Sequence, residues 1–194
     1  YIDYIVFSEE YEPGDGWPYN DILQPLVDDP SMEPSDFAVL IAQKYIDSYD
    51  YGGSQATNMD ATQAAINISA LRRKLMPALN HLVGELIRNY DSYESAIDYA
   101  ANNAETFYYS YIKDLKHFLL LLDSQISDPT VDSLIYDAID ACDEAIMWGG
   151  HLSNHPNAYG LAIYISSYSS SISDIDMGQD HQWDEFIKRR SGTI

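Results

Sequence analysis

Positive charge is what this sequence has least of. Its 194 residues carry 10 Lys and Arg against 31 Asp and Glu, a formal net charge of −21. A field of that sign repels phosphate backbones and anionic lipid, so nucleic-acid and membrane-surface partners are disfavoured, while cationic peptides and metal ions are attracted. Cysteine is nearly absent: Cys142 stands alone, which excludes an internal disulfide framework. Long apolar runs are missing too. Phe118 to Leu122 is five residues bounded by His117 and Asp123, and no run exceeds six, against the roughly 18 needed to span a bilayer. No secretory leader is present, but the chain opens with Tyr1-Ile2-Asp3-Tyr4 in the middle of a strand-like pattern. It therefore reads as a fragment, and the missing leader says little about export.

What remains is an ordinary globular composition, 46% hydrophobic, long enough for one well-buried domain. Ile2 to Ser8 is β-branched and aromatic almost without interruption, which predicts a strand buried on both faces of a mainly parallel sheet. Asn20 to Val27 reads as a short helix stopped by Asp28-Asp29-Pro30, and Ser35 is placed to cap a second one through Phe37, Leu40, Ile41 and Tyr45. After a loop at Asp50 to Ser54, order resumes over 60–68. Ser69 is then placed to cap a helix with an apolar face of Leu71, Leu75, Leu79, Leu82 and Leu86, kinked by Pro77. A stripe of Phe107, Tyr111, Leu115, Phe118 and Leu122 predicts another helix. Val131, Ile135, Ala138, Cys142 and Ala145 predict one more from about Pro129, ended by Gly149-Gly150. A second strand signal, Gly160 to Ile165, precedes a Ser-rich connection, an Asp-rich turn and a last helix from Trp183 to Lys188. The class is α/β, yet two strands among at least five helices do not complete a parallel sheet. Either another polypeptide supplies the missing neighbours, or the sequence is the latter part of a larger domain.

The densest chemistry lies in Tyr4 to Tyr19, YIVFSEEYEPGDGWPY. A strand runs into Glu9, Glu10, Glu12 and Asp15, while Pro13, Gly14, Gly16 and Pro18 turn the backbone around Trp17. An acidic turn at the end of a buried strand is where an α/β enzyme places a pocket for a cation. Blander readings compete. Aspartate before glycine is a common turn former, Glu9 and Glu10 alternate faces so that at most one enters a cleft, and Trp17 suits packing better than substrate binding. Cys142, on an apolar helix stripe, is a core thiol and not a nucleophile. His151 and His155 have ligand-like spacing but no second thiol to make a zinc site with Cys142. Asp174 to Asp180 with Glu185 imitates a calcium loop, although the turn glycine falls one place early and Gln182 stands at position nine. Tyr108, Tyr109 and Tyr111 have too few basic neighbours for a nucleic-acid stacking surface and read as core and rim.

In chain order, YIVFSEEYEPGDGWPY, ATQAAINISALRRKL, NAYGLAIYI and HQWDEFIK resemble the clostripain-like cysteine peptidases, which have the caspase-like fold. The resemblance covers nearly the whole chain. It implies part of a caspase-like αβα sandwich, two strands of a larger sheet plus a mostly helical layer. Residues 1–194 would then form the C-terminal part of one peptidase domain, completed by an upstream segment or companion light chain. In that family the Ser-Glu-Glu strand follows the catalytic cysteine and histidine, so neither catalytic residue lies in this chain. The family cleaves after Arg or Lys, with a thiolate attacking the carbonyl and an imidazole supplying the proton to the departing amine. Specificity rests on a buried carboxylate facing the substrate's cation. By position Asp15 matches an acidic residue of that pocket; Ser8, Glu9 and Glu10 would form the strand end beside the substrate, next to the turn around Trp17. The implied partner is a peptide or protein with a basic residue before the cleaved bond. Some relatives use calcium, which the resemblance admits without assigning a site, and a secreted or cell-surface bacterial-type location is expected. The chain departs from the family pattern at Pro77 and at Ser166-Ser167, where relatives continue with proline. Two rivals stand beside this reading: a non-catalytic caspase-like binding or assembly module of a surface or secreted protein, and an independent acidic helical domain that binds calcium.

Overall fold

The structure, a computed structural model, describes residues 2–167 and 181–193. The calcium-like stretch Asp174 to Asp180 falls outside them. Among the described residues five strands are found where two were expected. Strands β1 (Tyr4–Phe7), β2 (Thr62–Asn67) and β4 (Ile146–His151) form one sheet in the order β1-β2-β4; β3 (Ile112–Asp114) and β5 (Ala162–Tyr164) form a second. Every pairing is antiparallel, with Tyr4 opposite Asn67 and Ala65 opposite Trp148. This corrects the expected mainly parallel sheet. A β-branched, aromatic run suits any pleated surface, and its composition does not fix the direction of its neighbour.

Strand β1 is also shorter and less buried than expected. Ile5 is 40% exposed, because β1 is an edge strand and β2 takes the centre. Residues of β2 alternate between two covered faces. Ala65, with Tyr4 and Val6 of β1, packs on Ala38 and Ala42 of helix α2 (Pro34–Tyr49). Ala64 and Ile66, with Phe7, join the main core under α4 (Met76–Arg88) and α7 (Pro129–Ala145). Helices on both faces of a sheet make the αβα sandwich. The layering is as expected, and α1 (Tyr19–Asp28) lies against α2 on the outside.

Several boundaries move for identifiable reasons. Pro34, not Ser35, opens α2, with Glu33 before it making no side-chain cap; proline's fixed φ suits the first helical position. At the next helix Asn67, not Ser69, is the cap, accepting the Ala70 N–H. From α3 (Ile68–Ala70) the helix runs through a wide π turn, Leu71–Leu75, into α4. A proline ring collides with the carbonyl four residues before it, and Arg73, four before Pro77, lies in that wide turn. Helix α5 (Tyr90–Asn103), polar over most of its surface, had no strong apolar stripe to announce it. Helix α6 is Leu115–Asp123, so Phe107 and Tyr111 of the expected stripe lie outside it; Asp114 caps the helix by accepting the His117 N–H at 2.6 Å. The α7 stripe is as expected, with Val131, Ile135, Ala138, Cys142 and Ala145 fully buried. Gly149 and Gly150 do not stop that helix. They belong to β4, where a Cβ on Gly149 would stand 2.5 Å from the Tyr159 carbonyl oxygen. Helix α8 (Trp183–Arg190) seals the core with Trp183, Phe186 and Ile187.

Candidate functional site

Strand β1 ends on a single hydroxyl. Thr62 Oγ1, fully buried at the start of β2, accepts the N–H groups of both Glu9 and Glu10 at 3.1 Å and lies 2.8 Å from Ser8 Oγ. This anchor turns Ser8, Glu9 and Glu10 away from the sheet and sends the two carboxylates different ways. Glu9 turns inward, where its Oε2 accepts the Gly160 N–H at 2.9 Å. Beside it lies the buried carboxylate of Asp114, whose Oδ2 accepts the Tyr159 N–H at 2.6 Å. Burial first, then the neighbouring Asp114 charge, pushes the Glu9 carboxyl well above its ordinary range. Burial likewise raises Asp114. One proton shared between the two gives Glu9 a donor toward Asp114 and removes the like-charge repulsion.

Glu105 completes the inner cluster. Its Oε2 accepts the backbone and side-chain N–H groups of Asn157 at 3.2 Å, and its Oε1 lies 3.2 Å from His155 Nδ1. Three carboxyl groups thus hold the backbone of Asn157, Tyr159 and Gly160, pinning the loop that leads into β5. His117 borders the cluster. Its Nδ1 accepts the Glu105 N–H at 2.9 Å, so the ring carries its proton on Nε2, and burial lowers its pKa against the pull of Asp114 and Glu105. Glu10, by contrast, turns away from that cluster's Asp114 and toward His155. Its Oε1 accepts the Tyr11 N–H and its Oε2 lies 3.6 Å from His155 Nε2.

Asp15 and Trp17 sit in a second group, on α2. Gly16, at φ +75°, closes a turn by donating its N–H to the Pro13 carbonyl, and its own carbonyl accepts the Tyr49 hydroxyl at 2.6 Å. Trp17 packs edge-on against Tyr45 at 5.6 Å and donates its indole N–H to Glu12 at 2.7 Å, so it holds the turn. Asp15 is exposed, with Oδ2 accepting the Ala56 N–H at 3.3 Å. The turn projects its tip outward, and nothing in the described residues covers it. The residues that organise the site and that sequence reasoning missed are Thr62, Glu105 and Asp114. Only Asp114 had a local signal, as the cap of α6.

Cys142 is fully buried on the α7 stripe. Burial pushes the Cys142 thiol up to about 12, which leaves no thiolate at neutral pH. Among the described residues no group of His, Cys, Asp and Glu is arranged to hold a metal ion; Cys142, His151 and His155 do not converge. No helix among those residues is long and apolar enough to cross a membrane.

Three solved structures share the fold. A B. fragilis cysteine protease superposes with a TM-score of 0.56 at 16% identity, covering 95% of this chain and 77% of its own. An inactive zymogen C11 protease from Parabacteroides distasonis gives 0.58 at 16% identity, with 92% and 51% covered. A secreted C11 cysteine protease from Bacteroides thetaiotaomicron, in complex with an irreversible peptide inhibitor, gives 0.52 at 16%, with 96% and 53% covered. The chain therefore spans about half the length of the latter two. No curated protein matches it. The sequence profile of the clostripain family matches residues 1–189, and the chain belongs to that family.

Proposed function

We propose that the chain is the C-terminal part of a clostripain-type cysteine endopeptidase that cleaves after Arg or Lys. An upstream segment, or a companion light chain, supplies the thiol and imidazole and completes the peptidase domain. Here the chain contributes the acidic wall that reads the substrate's basic side chain. The observation that carries this reading is the end of β1: the Thr62 anchor fixes a strand terminus from which the nearly buried Glu10 and then the exposed Asp15 follow as successive carboxylates. Asp15 is the principal counter-charge. Its exposed oxygen meets the guanidinium or ammonium once the upstream segment closes over the turn, because a charged hydrogen bond gains strength as water is excluded. Secretion fits the acidic surface and the secreted relative.

The test compares the complete peptidase with its Asp15→Ala variant on peptides that differ only in Arg against citrulline before the cleaved bond. Loss of one charge-assisted contact lowers kcat/KM on the Arg peptide by roughly 10- to 100-fold, leaves the citrulline peptide unaffected and leaves the melting temperature close to wild type. Equal rates on the Arg peptide remove Asp15 from the pocket. Absence of cleavage of any peptide points to the non-catalytic binding module.

A further inference from the structure

Glu10 is the shared wall of two adjoining recesses. The smaller, about 190 Å³, is formed by Glu10, Tyr11, Phe107, Tyr108 and Tyr109 with Glu9 at its back. The larger, about 580 Å³, runs along Tyr11, Glu12 and Pro13 toward the turn that carries Asp15, and is walled across the way by Asp60, Phe107 and His155. Three tyrosines make a fixed corner between them. Tyr11 stands edge-on to Tyr108 at 4.6 Å and donates its hydroxyl to Tyr109 at 3.1 Å, while Tyr108 and Tyr109 meet edge-to-face at 5.0 Å. These rings are among the most exposed large side chains of the molecule, Tyr108 at 69%, yet they brace one another instead of lying scattered. Glu10 is the opposite, with its side chain only 11% exposed.

Aromatic faces beside a nearly buried carboxylate are the chemistry of lysine or arginine capture: the rings attract a cation by their quadrupole and cover its methylene stem, and the carboxylate takes the charged head. The basic groups nearby are otherwise engaged. Lys113 donates to Thr106 Oγ1 at 2.6 Å, and His155 lies between Glu10 and Glu105. The cation–π contacts the chain makes with itself, Lys116 on Tyr159 and Arg189 on Tyr90, are elsewhere.

We propose that this corner is a second cation subsite, receiving a Lys or Arg side chain of the peptide other than the one held at Asp15. The identification of the occupant as a substrate side chain rests on the function proposed above. A peptide lying along Tyr11 to Pro13 places one basic residue toward Asp15 and another against Tyr108, so substrates with two basic residues are favoured over those with one.

Aromatic-ring chemical shifts of the complete protein, titrated with a blocked tetrapeptide containing one lysine and with its norleucine counterpart, test the binding directly. The lysine peptide is expected to move the Tyr11, Tyr108 and Tyr109 signals and the norleucine peptide to leave them in place. Tyr108→Leu weakens that binding about threefold to tenfold, and Tyr108→Phe retains it. Shifts confined to Trp17 and Ala56, or equal shifts with norleucine, overturn the subsite while leaving the Arg or Lys cleavage open to its own test. Tyrosine shifts in a protein whose assembled form cuts nothing after Arg or Lys uphold the subsite and overturn the peptidase reading instead.

Discussion

Glu9 and Asp114 are two buried carboxyl groups with one proton between them, and that proton has a consequence for pH. The folded chain holds it above the ordinary carboxylate range, whereas the unfolded chain releases it there. Between the ordinary and the raised pKa the folded state therefore binds more protons, and stability falls as pH rises through that window. Glu9→Gln keeps a donor toward Asp114 and an acceptor for Gly160 but no longer titrates. It is expected to flatten the fall of the urea midpoint as pH rises above the ordinary carboxylate range; an unchanged slope would place the shared proton elsewhere. At this scale the sequence showed Glu9 and Glu10 but not their partners. Glu9 meets Gly160 across 151 positions and Glu105 meets His155 across 50. No local pattern encodes contacts of that kind, since they depend on which loops the fold brings together.

Asp114 joins three elements at once: it ends β3, caps α6 through the His117 N–H, and holds the loop before β5 through the Tyr159 N–H. Asp114→Ala strands two backbone donors in the interior and costs about 3 kcal/mol or more. Chemical denaturation measures the loss, and a change under about 1 kcal/mol would mean that water replaces the carboxylate. Elements with a strong apolar stripe were legible in the sequence, α7 and the α4 leucines above all. Three were not. Strand β2, Thr-Gln-Ala-Ala-Ile-Asn, has two alanines at its centre, Ala65 against α2 and Ala64 in the main core, and alanine carries little strand signal of its own. Strand β4 carries Gly149 and Gly150, which look like a helix stop but allow Tyr159 to lie against the backbone. The stripe through Phe107 and Tyr111 has helical spacing by coincidence, and the Asp114 cap sets the true start. Asp15 was legible as a turn residue, while its exposure followed from the direction of a turn set by Gly16, Tyr49 and Gln55.

On the scale of the molecule, the sheet ends at β1. The Ile68 N–H bonds the Asp3 carbonyl, so by antiparallel alternation Ile5 and Phe7 face β2, and Tyr4 and Val6 turn their backbone groups to the outer edge. No described strand pairs there. A free edge of this kind invites another strand, and the upstream segment is the proposed occupant. Hydrogen exchange makes this testable. In the 194-residue chain the Val6 amide is expected to exchange rapidly and the Ile5 and Phe7 amides slowly; in the complete peptidase all three become slow. Rapid exchange of Val6 in both forms would leave the edge unpaired and remove the proposed junction. Under the proposed function, the same junction would carry the upstream thiol and imidazole to the acidic end of β1, so that proposal and the edge pairing are tested together.

The most direct measurement is the cleavage profile of the complete protein on an unbiased peptide mixture, read by mass spectrometry. Cuts concentrated after Arg and Lys, and losing that preference when Asp15 and Glu10 are neutralised together, are the predicted result. Cuts without regard to charge, or a basic preference that survives both substitutions, would contradict it.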